Sequence, residues 1–69
     1  MSDCQGKSSW PELKGTEGDV AARTIERENR FVDAQIVLEG AIVTPDFRCD
    51  RVRVWVDTNG IVTRVPQIG

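Results

Sequence analysis

Few side chains in this sequence can do covalent or acid–base chemistry. Cys4 and Cys49 are its two cysteines, and it contains no histidine. Lack of imidazole removes the commonest general base and metal ligand. It also rules out a Ser–His or Cys–His nucleophile pair. The cysteines are not in C-x-x-C spacing and no other soft ligands accompany them, so neither zinc nor an iron–sulfur cluster is expected. Two readings of them stand: free thiols in a reducing compartment, or a single bridge. A bridge would close a loop of about 46 residues, which the chain-entropy model values at roughly 4 kcal/mol as an upper figure. Asp46, Asp50 and Asp57 can be cast as paired acids, but no phosphate-cradling loop goes with them. No enzyme activity, metal or cofactor is expected.

Arg51 and Arg53 are the pair with directional chemistry. Residues 51–56, Arg-Val-Arg-Val-Trp-Val, alternate strictly. In a strand this puts Val52, Val54 and Val56 on one face and Arg51, Arg53 and Trp55 on the other. Two guanidiniums on one strand face can rise together under a neighbouring loop. Each offers five donors in a fixed plane, suited to carbonyls and carboxylates. Without such a loop the same pair is a solvated strand face.

These residues need elements to position them. Residues 1–15 read as an irregular polar arm, with Trp10 as an apolar anchor into the core. Residues 17–29 read as a helix opened by a weak capping box at Thr16-Glu17-Gly18-Asp19. Its apolar face is Val20, Ala21, Thr24 and Ile25. Asp19–Arg23 and Glu26–Arg30 form i,i+4 pairs on the solvated side, and Asn29 suits the helix end. Residues 34–39 form a short apolar run suited to a buried strand. Asn59-Gly60 is a hairpin signal, with 61–65 returning as partner to 51–56 and Pro66 ending that strand near an edge. Residues 40–50 are long for a connection in so small a domain. They contain Ile42, Val43 and Phe47, so they read as an extended segment held out for a partner rather than as disorder.

The whole is 69 residues, 39% apolar and 29% charged, with net charge −2. That predicts a single domain over 1–69. Nine basic residues against 11 acidic ones, mixed along the chain, argue against nucleic-acid binding. No apolar run approaches the ~20 residues of a membrane span and no signal peptide is seen, so a soluble chain is expected, cytosolic or extracellular. Nothing in the sequence signals oligomerisation, and a monomer is expected.

Four motifs run through the chain in order. They are Cys4-x-Gly6-Lys7-Ser8-Ser9-Trp10-Pro11-Glu12-Leu13, Ile25-Glu26-Arg27-Glu28-Asn29, the stretch Val43-Thr44-x-Asp46-Phe47-Arg48-Cys49-Asp50-Arg51-Val52-Arg53-Val54-Trp55-Val56, and Val65-Pro66-x-Ile68-Gly69. Over nearly its whole length the chain resembles the potato inhibitor I family of plant serine-protease inhibitors, in its single-disulfide seed and fruit form. The resemblance implies an α+β fold, one helix packed on a small mixed β-sheet, with a long exposed protease-binding loop. It implies that this loop, 40–50, joins two parallel strands, where the periodicity alone suggests a plain hairpin. It implies inhibition of serine proteases as a pseudo-substrate, with Pro45–Asp46 as the scissile bond. Val43, Thr44 and Phe47 would contact the protease. Arg51 and Arg53 would hydrogen-bond Thr44 and Asp46, serving the loop more than the fold. Cys4 would bridge Cys49.

Pro45 stands where trypsin-directed members carry Lys or Arg and chymotrypsin- or subtilisin-directed members carry Leu or Met. Proline fixes φ near −65° and has no N–H. It pushes Thr44 towards extended geometry, which suits a protease-binding loop. The missing N–H would leave an enzyme carbonyl unpaired, at a cost of roughly 1–3 kcal/mol. A shallow pocket, elastase-like or subtilisin-like, is therefore the expected partner rather than trypsin. The alternative is a non-inhibitory binding or storage module that kept the fold.

Overall fold

The structure, a computed structural model, describes residues 4–69; the first three residues of the expected arm lie outside them. Its elements are a 3-10 turn, Pro11–Leu13, a helix α1, Gly18–Glu28, and two strands, β1, Asp33–Leu38, and β2, Arg51–Val56. The strands pair in parallel, in register from Asp33 opposite Arg51 to Leu38 opposite Val56. Parallel neighbours need a crossover. Residues 39–50 supply it, so the long connection joins two parallel strands as the family resemblance implies.

β2 is the central element. Val52, Val54 and Val56 point into the core as their alternation predicts, joined there by Trp10, Leu13, Ala21, Ile25, Val32, Val62 and Ile68. Trp10 is 0% exposed. It is the arm's anchor, with its indole N–H donating to Glu28 at 2.9 Å. β1 corrects the expectation of a buried strand. It is the outer strand, and only Ala34 and Val37 are half-buried while Ile36 and Leu38 remain exposed. A two-strand sheet gives an outer strand a neighbour on one side only.

The helix matches the expected span to within a residue at each end. Its apolar stripe is narrower than predicted: Ala21 and Ile25 are buried, but Val20 is exposed. Glu17 takes the N-cap position without a side-chain cap bond. Thr16 instead turns its hydroxyl to the Leu13 carbonyl at 2.6 Å, so the capping box does not form. The first helical N–H, from Gly18, bonds to the Gly60 carbonyl at 2.8 Å. That approach requires glycine, because a Cβ at position 18 would lie 2.7 Å from Val56 Cγ1. The Asp19–Arg23 pair is present at 3.9 Å. The Glu26–Arg30 pair is not: Arg30 lies past the helix end, and Glu26 accepts the Ala34 N–H at 2.9 Å instead. Asn29 ends the helix as expected. Its buried side chain donates to the Gln5 and Lys7 carbonyls, both at 2.8 Å, and fastens the arm to the helix end.

The Asn59-Gly60 turn forms, with Asp57 accepting the Asn59 and Ile61 N–H groups at 2.8 and 3.0 Å. The return segment 61–65 is not a continuous strand. It touches β2 through the Val56–Val62 bridge, with Ile61 bridging Glu17. Val62 exchanges bonds with Thr16 and Gly15 of the arm, at 2.8 and 2.9 Å. One segment serving both the arm and β2 cannot keep a regular ladder with either. Pro66 is fully buried rather than at an edge, and its carbonyl accepts the Trp10 N–H at 2.9 Å.

Candidate functional site

The crossover 39–50 leaves the body of the molecule through a turn. The Leu38 carbonyl accepts the Ala41 N–H at 3.0 Å, and Gly40 adopts φ +93°, a left-handed conformation that glycine takes without a Cβ penalty. Beyond the turn the chain has no regular hydrogen bonding through Arg48. Ile42 is 99% exposed, Val43 is half-buried, and Thr44, Pro45, Asp46 and Phe47 are all exposed. The apolar Ile42, Pro45 and Phe47 therefore stand in water at the far side of the loop.

Under this tip the two arginines of β2 rise together. Arg53 Nη2 donates to the Thr44 hydroxyl at 3.0 Å. The Thr44 hydroxyl donates in turn to the Asp46 carboxylate. Arg53 Nη2 also lies 3.8 Å from that carboxylate. Arg51 Nη2 donates to the Asp46 main-chain carbonyl at 2.7 Å, and its Nη1 reaches the Asp46 carboxylate at 3.4 Å. The Thr44–Pro45–Asp46 segment is thus held on both sides of Pro45 by charge-assisted bonds, the stronger kind. The Thr44 hydroxyl foremost, with help from the Arg51 guanidinium, holds the Asp46 carboxyl below the usual aspartate range against the opposing effect of desolvation.

The base of the loop is fixed as well. Cys49 is bridged to Cys4, with Cα atoms 5.0 Å apart, so the arm is tied across to the loop's end. Arg48 Nε and Nη2 clasp the Asp50 carboxylate, both at 2.9 Å.

All the residues singled out from the sequence meet here. Pro45 and Asp46 sit at the tip, Val43, Thr44 and Phe47 beside them, Arg51 and Arg53 beneath, and Cys4–Cys49 at the base. One expectation needs correction. Arg51 belongs to the fold as much as to the loop, because its Nε donates to the Gly69 carbonyl at 2.8 Å and its side chain is only 10% exposed. Gly69 in turn donates its N–H to the Arg51 carbonyl at 3.0 Å. No local signal marks Gly69 as a partner, since it comes to Arg51 only when the chain folds back along β2. The sequence reading also missed Glu39 and Arg64, which meet across 25 positions.

Among the described residues no group of acidic, cysteine or histidine side chains is placed to hold a metal, and no helix is long and apolar enough to cross a membrane.

Similarity to known proteins agrees with this geometry. The family model described as "Potato inhibitor I family" matches residues 2–69. A "Glu S.griseus protease inhibitor" of Momordica charantia is 62% identical over 68 residues, 99% of this chain and 100% of the relative. An "Inhibitor of trypsin and hageman factor" of Cucurbita maxima is 56% identical over 68 residues, with the same coverage of 99% and 100%. The crystal structure of bitter gourd trypsin inhibitor superposes with a TM-score of 0.95 at 60% identity, covering 99% of this chain and 100% of that one. A parallel pair spanned by an arginine-supported loop, a match over nearly the whole sequence and relatives that are protease inhibitors lead to one conclusion: the chain belongs to the potato inhibitor I family.

Proposed function

We propose that this chain inhibits serine endopeptidases as a rigid pseudo-substrate, offering loop 40–50 with Pro45–Asp46 as the scissile bond. The observation that carries the reading is the double hold on that bond, Arg53 on Thr44 before it and Arg51 on Asp46 after it. A protease binds extended backbone, and an exposed segment without regular hydrogen bonding supplies it. A loop already ordered loses little entropy on binding. If the enzyme opens the bond, Arg51 keeps the Asp46 amine beside the acyl group, at high effective concentration, so religation competes with hydrolysis. Val43, Thr44 and Phe47 flank the bond as enzyme contacts.

Pro45 sets the partner. Its ring is short and cannot fill a deep cation pocket, and its nitrogen offers no proton to the enzyme. A shallow pocket, subtilisin-like or elastase-like, is favoured over that of trypsin. The non-inhibitory alternative rests on Pro45 alone and is not favoured, since the arginine supports and the bridge are all in place.

Incubation with subtilisin, elastase, chymotrypsin and trypsin tests this. Tight inhibition of the first two with slow scission at Pro45–Asp46, read by intact mass, is expected. Rapid digestion at other bonds by every enzyme, with no inhibition, refutes it.

A further inference from the structure

Two residues outside the arginine supports grip the other shoulder of the loop. Glu39 is the residue at the corner of the Leu38–Ala41 turn, where β1 gives way to the loop. Its carboxylate receives Arg64 Nε and Nη2, both at 2.8 Å, in a bidentate pair. It also receives the Thr63 hydroxyl. The Arg64 guanidinium lies over the Trp55 ring, 4.2 Å from its centroid. Thr63 is itself fixed to β2 by its N–H, which donates to the Trp55 carbonyl at 2.9 Å. So the C-terminal segment, held on the outer face of β2, reaches across and fastens the corner from which the loop departs.

The asymmetry of the loop gives this contact its meaning. The chain after Pro45 has several holds: Arg51 on Asp46, the Arg48–Asp50 pair and the Cys4–Cys49 bridge. Before Pro45, among the described residues, segment 41–44 has one side-chain hold from the body, Arg53 on Thr44, and Val43, Ile42 and Ala41 then run back to the turn. An isolated surface ion pair orders little. A bidentate guanidinium stacked on an indole is a pre-organised pair.

We infer that Glu39 and Arg64, with Trp55 as platform, are positioning residues for the acyl side of the reactive loop, the counterpart of the disulfide on the amine side. The inference rests on the pseudo-substrate reading for its consequence but not for its geometry. Held at Glu39, the 40–44 segment keeps the Pro45 carbonyl in reach of the Asp46 nitrogen after scission. Released there, the corner keeps only its main-chain bonds, Glu39 N–H to the Val56 carbonyl at 2.8 Å and Ala41 N–H to the Leu38 carbonyl at 3.0 Å, and the acyl arm loses its side-chain anchor upstream of Thr44.

The test uses the Glu39→Gln and Arg64→Gln proteins, with Arg64→Lys as a variant that keeps the charge and loses the planar fork. Backbone ¹⁵N relaxation reads the loop in free protein. Order parameters at Ala41, Ile42 and Val43 are expected to fall towards the flexible range, below about 0.6, while those in α1 and β2 stay near 0.85. With subtilisin as the probe, the equilibrium ratio of cleaved to intact chain at Pro45–Asp46 is expected to rise about three- to tenfold in both Gln variants. The Lys variant should fall between them and the parent. Unchanged order parameters at 41–43 in both Gln variants overturn the proposal. So does a fall in those order parameters with no change in the cleavage ratio. A parent that subtilisin neither binds nor cuts at 45–46 fails the pseudo-substrate reading instead, and the relaxation data still decide whether Glu39 and Arg64 hold the shoulder. Thermal melts accompany each variant, and Arg64→Lys carries the relaxation test if either Gln variant does not fold.

Discussion

One Arg51 guanidinium grips Asp46 at two points, 2.7 Å to its main-chain carbonyl and 3.4 Å to its carboxylate, while its Nε holds Gly69 at 2.8 Å. The first residue after the proposed scissile bond is therefore locked to the sheet and to the returning C-terminal segment by a single side chain. Arg53, on the same face, directs its side-chain polar contacts to the loop, to Thr44 and Asp46. The two arginines look alike in sequence and differ in what their loss does.

Arg53→Ala is expected to leave stability nearly unchanged and to speed scission at Pro45–Asp46 severalfold. Arg51→Ala should do both: faster scission, and a loss of about 1–3 kcal/mol from the unpaired carbonyls it leaves behind. Urea unfolding separates the two, and cleavage followed by mass spectrometry reads the loop. Equal stability of the two variants would contradict this division of labour between Arg51 and Arg53.

Reduction of Cys4–Cys49 frees the arm from the loop base. The stabilisation lost is expected at about 2–4 kcal/mol, bounded by the long loop that the bridge closes. Denaturant midpoints with and without reductant measure it. Alkylation of the native, unreduced protein should label neither cysteine.

Pro45 is exposed, and on the pseudo-substrate reading its side chain sets specificity without carrying the fold. Pro45→Lys restores an N–H and offers a cation, so trypsin inhibition should strengthen by at least tenfold, the equivalent of about 1.4 kcal/mol. Pro45→Leu should strengthen chymotrypsin and subtilisin inhibition similarly. Melting temperatures should match the parent's. A folded Pro45→Lys protein that leaves trypsin untouched would mean that the frame no longer inhibits.

The loop network should tolerate mild acid. Thr44 and Arg51 depress the Asp46 carboxyl, so the group binds its proton less readily folded than unfolded. Its contribution is complete above the usual aspartate range and disappears as pH falls through the depressed value. Loop order is thus expected to persist at pH 5 and to fail only below about pH 4. The ¹³C carboxyl shift of Asp46, titrated beside the Thr44 amide, follows it directly.

Gly18→Ala tests the close approach of α1 to β2. The added methyl meets Val56 Cγ1 at 2.7 Å, and overpacking of this kind costs about 1–3 kcal/mol. That should outweigh alanine's better helix propensity, and chemical denaturation shows which effect wins.

Much of the site was legible because its signals are local. Alternation along 51–56 puts Val52, Val54 and Val56 in the core and Arg51 and Arg53 on the opposite face, beneath the loop, and the helix ends at Asn29 where its side chain can bond the arm. Misreadings arose where burial or pairing depends on what distant parts of the chain bring alongside. The run 34–39 has the composition of a buried strand, yet burial depends on neighbours, and β1 has one. Residues 61–65 have the period of a strand, yet Val62 spends its backbone bonds on Thr16 and Gly15. Parallel pairing was visible only through family resemblance, since the turn at 59–60 argues locally for an antiparallel partner. Glu39, Arg64 and Gly69 gave no sign, because each acts across the chain's closure.

The segment a protease would meet is also the only path from β1 to β2. At Ile42, Pro45 and Phe47 its side chains are exposed to water, whereas its length is dictated by the span between two parallel strands in fixed register. Replacement and resizing are therefore very different operations on this molecule. A tip residue can be exchanged like a key on a ring, but removing even one residue between Gly40 and Asp50 shortens the bridge that lets the strands lie side by side.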